Sequence, residues 1–413
     1  MLLRRFSVTV LPVYTLALAL QACGGGGGSG GGQPNGSPGS LTPTRTAVPG
    51  TTRTAAPGTG TPAPGTTLTP APGTGPTPVR PGGSLLEALR SAAPGSTVLV
   101  APGTYPALAV QSTDLQGPVT LLADVTGATE SAGAVTIDAS GHSVAAVSIR
   151  GVTGLTLDGI TAQGGTGEGI LVLDSPDTVI RNCVARNNHG DGVFVQSSDG
   201  SVVFDNLAYK NSDAGIRIYS SNDVSLINNT VSGNGGIGIF VGTAADPSTG
   251  VLAENNIIDG NRGFGIEFET GNDAVADYNM NTDGYAPGTP VGSHEVDGFP
   301  EFTGPSLGDF HLTPQSDDCM GGSPAINAGD PATPADLVAI LQQRTTRAEG
   351  MPDCVGTLCC TTLTADPTPR TMDLQPGQVD LGYHYAAPPA TSTPGPPKPT
   401  RTRTPTPTRT PTP

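Results

Sequence analysis

The chain contains no tryptophan, and its aromatic residues together make up only 4% of its 413 residues. Lysine is also scarce, and Lys210 is the only lysine between residues 84 and 386. All 35 acidic residues lie between Glu87 and Asp380, where only 10 arginine and lysine residues accompany them. This part of the chain therefore carries a charge of about −25, which argues against a nucleic-acid partner. Such a charge is typical of an extracellular protein or of one that gathers divalent cations.

Long apolar runs are rare as well. A basic start is followed by a short apolar run that ends at Leu20, which predicts a secretory signal over residues 1–22 rather than a membrane span. The ending Leu-x-Ala-Cys is similar to the bacterial lipobox, which implies lipidation of Cys23 and a membrane anchor. The resemblance implies a lipoprotein at the bacterial cell surface, and in a bacterium with two membranes the absence of aspartate at residue 24 favours the outer membrane. An ordinary signal peptide with an incidental cysteine is the alternative.

Two flanking segments cannot bury enough apolar surface to form a core. Residues 23–83 and 387–413 consist mainly of Gly, Thr, Pro, Ala and Ser, which predicts a disordered stalk and a disordered tail. The chain between them divides into residues 84–284, which repeat, and residues 285–386, which do not. We expect the first to be the main fold and the second to cap it.

One short phrase recurs through residues 84–284. It reads GILVL, GVFVQ, GIRIY, GIFVG and GIEFE, beginning at Gly169, Gly192, Gly215, Gly238 and Gly265. The first four glycines stand 23 residues apart and the last step is 27 residues. A fixed period of this size is too short for a pair of helices and indicates a solenoid built from strands.

Two columns of asparagine keep the same step. They are Asn188, Asn211, Asn234 and Asn261, and then Asn206, Asn229, Asn256 and Asn279. Residues one period apart lie one strand spacing apart, roughly 4.8 Å, so each amide can bond the amides above and below. We interpret the columns as structural ladders rather than ligands. Cys183 takes the position of Asn206 one coil earlier, and we expect it to be a buried free thiol.

Two or three short strands per coil, with no room for helices, predict an all-β parallel β-helix, which should be right-handed because nearly all parallel crossovers are. The coils resemble the repeats of the secreted, right-handed parallel β-helix proteins of the pectate-lyase-like superfamily. Residues 93–105 resemble an opening strand of such proteins. Residues 309–312, 322–330 and 379–385 resemble the C-terminal segment of surface-anchored β-helix proteins. The resemblance implies the fold but no single activity, since that superfamily contains lyases, hydrolases, esterases, epimerases and proteins with no known chemistry.

Both ends of the repeat need a cap. Ser84-Leu85-Leu86-Glu87 has the pattern of a capping box and predicts a short helix that closes the first coil. The irregular segment 285–386 contains Cys319, Cys354, Cys359 and Cys360, which we expect to form two disulfides with three pairings open. A zinc site supplemented by His311 or His384 is the alternative.

Strand alternation after each glycine divides the side chains between two faces, with the β-branched residues pointing inward. The outward residues form two columns: Ser148, Leu171, Phe194, Arg217, Phe240 and Glu267, and then Arg150, Leu173, Gln196, Tyr219, Gly242 and Glu269. Exposed Phe194, Tyr219 and Phe240 beside a charged group are typical of a sugar-binding strip, because rings pack on pyranose faces. The alternative is that the C-terminal segment or a loop covers this face.

Three residues of the same face are candidate catalytic groups. In similar lyases an arginine or lysine abstracts the proton beside a uronate carboxylate while acidic residues hold calcium, which implies these roles for Arg217 and for Glu267 with Glu269. The two glutamates lie roughly 7 Å apart along the strand, near the separation of the carboxylates in inverting glycosidases. Either could also be a ligand of calcium, the one cofactor that we consider.

The sequence therefore predicts a monomeric, lipid-anchored β-helix protein that binds a polysaccharide or another glycan of the cell envelope. A lyase or glycosidase acting on acidic glycans is one alternative. A structural surface protein without a ligand is the other.

Overall fold

The computed structural model describes residues 78–124, 133–141, 145–243, 245–269, 271, 273–313, 323–341, 344–345 and 379–386. Within these ranges the chain coils so that successive turns stack three parallel sheets along one axis. The predicted all-β, right-handed parallel β-helix is confirmed.

Each regular coil contributes one strand to each sheet. Sheet 1 consists of β1 (Thr97–Val100), β4 (Val119–Ala123), β7 (Leu155–Asp158), β10 (Val179–Arg181), β13 (Val202–Phe204), β16 (Ser225–Ile227), β19 (Thr249–Glu254) and β22 (Asp273–Asp277). Sheet 2 consists of β2 (Gly103–Pro106), β5 (Val135–Asp138), β8 (Ile160–Gln163), β11 (Val184–Arg186), β14 (Leu207–Tyr209), β17 (Thr230–Ser232), β20 (Ile257–Asp259) and β23 (Met280–Asn281). Sheet 3 consists of β3 (Leu108–Gln111), β6 (Val147–Arg150), β9 (Ile170–Leu173), β12 (Val193–Gln196), β15 (Ile216–Tyr219), β18 (Ile239–Val241) and β21 (Ile266–Phe268).

The repeated glycines precede the strands of sheet 3 and form one column, as predicted. Val193 is paired in parallel with Ile170 on one side and with Ile216 on the other, and all three side chains are buried. The glycine is required because the coils approach closely at this point. A Cβ at Gly192 would lie 2.6 Å from the carbonyl oxygen of Gly215, closer than non-bonded atoms come.

The asparagine columns form the predicted ladders inside the coil. In one ladder, Nδ2 of Asn188 donates to Oδ1 of Asn211 at 2.9 Å, and Nδ2 of Asn211 donates to Oδ1 of Asn234 at 3.0 Å. In the other, Nδ2 of Asn206 donates to Oδ1 of Asn229 at 3.0 Å. All the amides therefore point the same way along the axis.

Each ladder ends on a carboxylate that accepts from the last asparagine. Oδ2 of Asp283 accepts from Nδ2 of Asn261 at 2.9 Å, and Oε1 of Glu295 accepts from the backbone N–H of Asn279 at 3.3 Å. At the other end of the second ladder, the N–H of Cys183 donates to Asn206 at 2.9 Å. Cys183 is buried and free, which confirms the prediction for this thiol.

A short helix, α1 (Leu85–Ser91), closes the N-terminal end, as predicted. Oγ of Ser84 accepts from the N–H of Glu87 at 3.2 Å, and Leu89 is buried against the first coil. The fold begins slightly before the predicted end of the stalk at residue 83. Val79 forms a parallel bridge with Val100 because its N–H donates to Leu99 at 2.8 Å.

The described C-terminal residues pack on the outside of sheets 1 and 2. They contain β24 (Phe302–Gly304), a 3₁₀ turn (Pro305–Leu307), β25 (Asp309–Leu312), α2 (Ala335–Leu341), β26 (Arg344–Thr345) and β27 (Tyr385–Ala386). Leu341 clusters with Phe204 of sheet 1, and the ring of Phe310 lies 5.1 Å from the ring of Tyr209 of sheet 2. The corner between these two sheets is thereby covered.

One stretch, Val379–His384, which we name the C-terminal clasp, bonds to the turns at this corner. The N–H of His384 donates to Asp205 at 2.5 Å, Nδ2 of Asn228 donates to the carbonyl of Asp380 at 2.8 Å, and the N–H of Gly382 donates to the carbonyl of Asn255 at 2.9 Å. The three turns belong to three successive coils.

Several predictions concern residues that lie outside the described ranges. These are Cys23 with its signal segment, most of the stalk, the tail, and Cys319, Cys354, Cys359 and Cys360. The lipid anchor, the disordered flanks and the disulfides therefore stay predictions. Among the residues described, no helix has both the length and the apolar character needed to cross a membrane.

Candidate functional site

The outer face of sheet 3 brings the predicted site residues together. Phe194 lies opposite Arg217, Gln196 lies opposite Tyr219, and Arg217 in turn lies opposite Phe240. The next strand places Glu267 opposite Phe240. The two outward columns are thus as predicted.

This face is open in the part of the chain that the structure describes. The hydrophobic clusters that join α2, β25 and the C-terminal clasp to the β-helix involve strands of sheets 1 and 2. Residues 285–289 run past the edge of β21, where the N–H of Ala286 donates to Ile266 at 3.0 Å. They continue the end of the sheet rather than cover its outer side.

The three predicted rings form one cluster instead of three separate exposed platforms. The ring of Tyr219 stands edge-on to Phe194 at 5.4 Å and to Phe240 at 5.7 Å. The guanidinium of Arg217 lies over Phe240, 5.2 Å from the ring centre. The predicted exposure of Phe240 is therefore wrong: these neighbours cover it and leave it 9% exposed, while Phe194 and Tyr219 are half-buried.

Arg217 is held by acceptors of the protein itself. Its Nε and Nη2 donate to the two carboxylate oxygens of Asp191 at 2.6 and 2.9 Å. Nη2 also donates to Asp213 at 2.8 Å, and Nη1 donates to the hydroxyl of Tyr219 at 2.9 Å. Only 15% of the Arg217 side chain is exposed, so most of its hydrogen-bonding capacity is directed into the protein.

The same contacts keep the guanidinium of Arg217 protonated. Burial alone would lower its pKa, but the hydrogen bonds and charge of Asp191, supported by Tyr219 and Asp213, raise the pKa above its ordinary value. A group that abstracts a proton must first be deprotonated. The geometry therefore argues against the role of base that the resemblance implies for Arg217.

Two residues at the border of this face were missed by the strand pattern, which starts only after each glycine. The position just before the glycine holds Glu168, Asp191, Ala214, Ile237 and Phe264 in successive coils. Asp191 turns onto the face to bind Arg217. Phe264 is 43% exposed, the most exposed ring among these columns. Both residues directly precede a repeated glycine, and this shared position is the sequence pattern by which they could have been identified.

Glu267 and Glu269 lie next to the ring cluster and influence each other. Burial, and then the charge of Glu269, raise the pKa of Glu267 above its ordinary value. The described residues contain no group of three or more His, Cys, Asp or Glu side chains placed to hold a metal ion. Calcium takes six to eight oxygen ligands, so these two carboxylates alone do not fit a calcium site.

Comparison with family models agrees with the architecture. Residues 127–281 match the family described as Beta_helix, right handed beta helix region. No curated protein sequence matches the chain significantly. Among solved structures, the chain is similar to a double mutant of the periplasmic alginate epimerase AlgG, with 16% identity, a TM-score of 0.35 and coverage of 49% of this chain and 50% of that chain. The match thus spans about half the length of AlgG.

Two further solved structures are similar over part of their length. The A-module of the Azotobacter vinelandii mannuronan C-5 epimerase AlgE4 is 20% identical, with a TM-score of 0.34 and coverage of 47% of this chain and 72% of that chain. Pectate lyase Pel9A is 15% identical, with a TM-score of 0.35 and coverage of 52% of this chain and 68% of that chain. The family match over residues 127–281 and the three stacked parallel sheets agree on a right-handed parallel β-helix fold.

Proposed function

We propose that the outer face of sheet 3 binds a polysaccharide. The observation that carries this proposal is an open face on which half-buried rings lie beside carboxylates, while the corner between the two neighbouring sheets is covered by the C-terminal residues. Sugar rings pack on aromatic rings, and their hydroxyls donate to fixed carboxylates. Stacked strands repeat such contacts about every 4.8 Å along the axis, which suits a linear polymer.

The most accessible contact surface lies at the C-terminal end of this face. Phe264 is 43% exposed and belongs to the same coil as Glu267 and Glu269, both of which are partly accessible. An exposed ring beside two acceptors can hold a pyranose by its apolar face and its hydroxyls at once. The cluster of Phe194, Tyr219 and Phe240 continues this surface toward the N-terminal coils.

Binding is favoured over lyase chemistry because Arg217 is held by Asp191 and keeps its protons. Hydrolysis is the second candidate, since the raised pKa of Glu267 beside Glu269 is the arrangement that a general acid and a general base require. Release of reducing ends from a bound polymer would support hydrolysis. Binding without a product would support a binding protein.

We also propose that the protein acts outside the cytoplasm, anchored through a lipid on Cys23 and held away from the membrane by residues 24–77. The sequence of the N-terminus supports this proposal. Replacing Cys23 with Ser is expected to release the protein from membrane fractions without unfolding it. Continued fractionation of the Cys23→Ser protein with membranes would contradict the lipid anchor.

The binding face can be tested with two matched phenylalanines. Phe264 lies on the proposed face, whereas Phe299, which is 68% exposed, lies in the C-terminal segment. Affinity electrophoresis of the full chain should show retardation by at least one polysaccharide. Phe264→Ala should weaken it about three- to tenfold, as expected for the loss of one ring contact, while Phe299→Ala should not. Absence of binding to any polysaccharide would favour a structural protein without a ligand, and equal effects of the two variants would exclude this face.

A further inference from the structure

The charges around the open face are predominantly negative. Asp191 and Asp213 border it on the side from which the chain enters sheet 3, and Glu267 and Glu269 lie at its C-terminal end. Asp213 is the most accessible carboxylate of the Arg217 network, with 59% of its side chain exposed. Burial, and to a smaller extent the charge of Glu269, raises the pKa of Glu267 above its ordinary value.

The positive groups on the same face offset only part of this charge for a ligand. Arg217 already neutralises Asp191 and contacts Asp213 through its own hydrogen bonds, so its charge is not directed outward. Arg262 lies on the turn that leads into β21, and Arg150 lies three strands from Arg217, roughly 14 Å away, where it bonds Ser148. A polymer lying along β15, β18 and β21 therefore meets more carboxylates than free guanidinium groups.

We infer that this face binds neutral polysaccharides and discriminates against polyanionic ones. The inference rests on the proposed polysaccharide binding and names the chemical class of its ligand. Carboxylates accept hydrogen bonds from the hydroxyls of an uncharged sugar, and these charge-assisted bonds are stronger than those between neutral groups. A uronate placed on the same acceptors would bring like charges together, and like-charge contacts are a common means of excluding a wrong partner.

A bridging cation is the usual way for carboxylates to hold an anionic polymer. In the described residues, Glu267 and Glu269 have no third acidic, histidine or cysteine ligand that would complete such a site. We therefore expect discrimination against polyanions with and without added calcium.

The test compares neutral with anionic polymers and includes one pair, the two polygalacturonans, that differs in charge but shares a backbone. The full chain is run in native gels that contain methyl-esterified polygalacturonan, de-esterified polygalacturonan, galactomannan, xylan or alginate, each with EDTA and with calcium. At least one neutral polymer should retard the chain, with an affinity at least about tenfold above that for either anionic polymer. Equal or stronger retardation by an anionic polymer, including one that needs calcium, would overturn the inference. Lack of retardation by all five polymers would instead contradict the proposed binding function itself.

Variants of the two glutamates show whether this face is responsible. Glu267→Gln combined with Glu269→Gln removes two charges and keeps the shape of both side chains. This variant should bind the neutral polymer about tenfold more weakly, and its preference for neutral over anionic polymer should shrink. The matched control is Asp297→Asn combined with Glu301→Gln, since both residues are exposed in the C-terminal segment.

The control should leave the affinity and the preference unchanged. If it reduces the preference as much as the glutamate variant does, the discrimination comes from the net charge of the chain, and the inference fails. Salt provides a second readout. Raising the salt concentration should relieve the exclusion of anionic polymers, because exposed charges are screened, and should leave binding of the neutral polymer nearly unchanged. Loss of neutral binding at high salt would also contradict the inference.

Discussion

Arg217 and Asp191 belong to adjacent coils and are joined by two parallel hydrogen bonds of 2.6 and 2.9 Å. Their side chains are 15% and 6% exposed, so the pair is largely withdrawn from water. The guanidinium also lies 5.5 Å from the ring centre of Tyr219 and 5.2 Å from that of Phe240. The ion pair therefore organises the ring cluster and makes Arg217 a structural part of the face.

Removing one partner of this pair should be costly. Arg217→Ala would leave Asp191 buried without its counter-ion, which should lower the free energy of unfolding by about 3 kcal/mol. Arg217→Ala combined with Asp191→Ala should recover part of that loss, because no lone charge remains. Urea denaturation followed by circular dichroism measures both, with Arg262→Ala as the exposed arginine control. A loss no larger than that of the control would contradict the structural role of Arg217.

The asparagine ladder should be sensitive to a single deletion. Asn229 is fully buried, and its Oδ1 accepts from both the N–H and Nδ2 of Asn206 at 3.0 Å. Asn229→Ala would leave the backbone N–H of Asn206 and one hydrogen of its Nδ2 without an acceptor, at a cost of roughly 3 kcal/mol, while the other Nδ2 hydrogen keeps its bond to the carbonyl of Ile180. The exposed Ser212→Ala should change stability by less than about 0.5 kcal/mol. Equal denaturation midpoints for the two variants would show that the ladder contributes little.

Cys183 should be unreactive in the folded protein. Burial raises the pKa of its thiol from an ordinary value of 9.0 to about 12. Only the thiolate reacts quickly with alkylating reagents, so the peptide that contains Cys183 should stay unmodified at pH 8 until the protein is denatured. The raised pKa contributes to the free energy of unfolding below pH 9, and this contribution is lost between pH 9 and 12. Cys183→Ala should not show this loss. Rapid alkylation of native protein at pH 8, detected by mass spectrometry, would contradict the burial.

As the pH is lowered, binding to the open face should weaken at a higher pH than it would if the acceptor were a carboxylate with an ordinary pKa. The pKa of Glu267 is raised above its usual 4.5 by burial and by Glu269, so this acceptor becomes protonated at a higher pH. The affinity for a neutral polysaccharide should therefore fall with a midpoint above pH 4.5. The stability of the fold should not fall with it, because a raised carboxyl pKa means that protonation of Glu267 favours the folded state. In Glu267→Gln the remaining loss should shift to lower pH. An unchanged profile in this variant would show that Glu267 is not the titrating group.

The coil architecture was predictable because its requirements repeat in the sequence. Gly192 must lack a Cβ where adjacent coils meet, and Asn211 must carry both a donor and an acceptor, so the same residue types return at each period. The inward direction of Ile216 follows from strand alternation alone.

The exposure of the site was less predictable because it depends on contacts between neighbours. Alternation gives the direction of the Phe240 side chain but not the covering of its ring by Arg217 and Tyr219. Asp191 and Phe264 precede the strands, where a turn rather than a period-2 pattern sets the direction. The position of the C-terminal residues depends on contacts across long sequence separations, such as the separation of 179 positions from Asp205 to His384, which no local pattern encodes.

The C-terminal clasp also limits how this molecule can change length. Its partners Asp205, Asn228 and Asn255 occupy three successive coils, so a 23-residue deletion or duplication between them would move one partner by a strand spacing, about 4.8 Å. At least one of the bonds would then be lost. A repeat unit gained before Asp205 would leave all three in place. Evolution or engineering can thus extend the face on its N-terminal side, and homologues with more coils should carry the additional ones there.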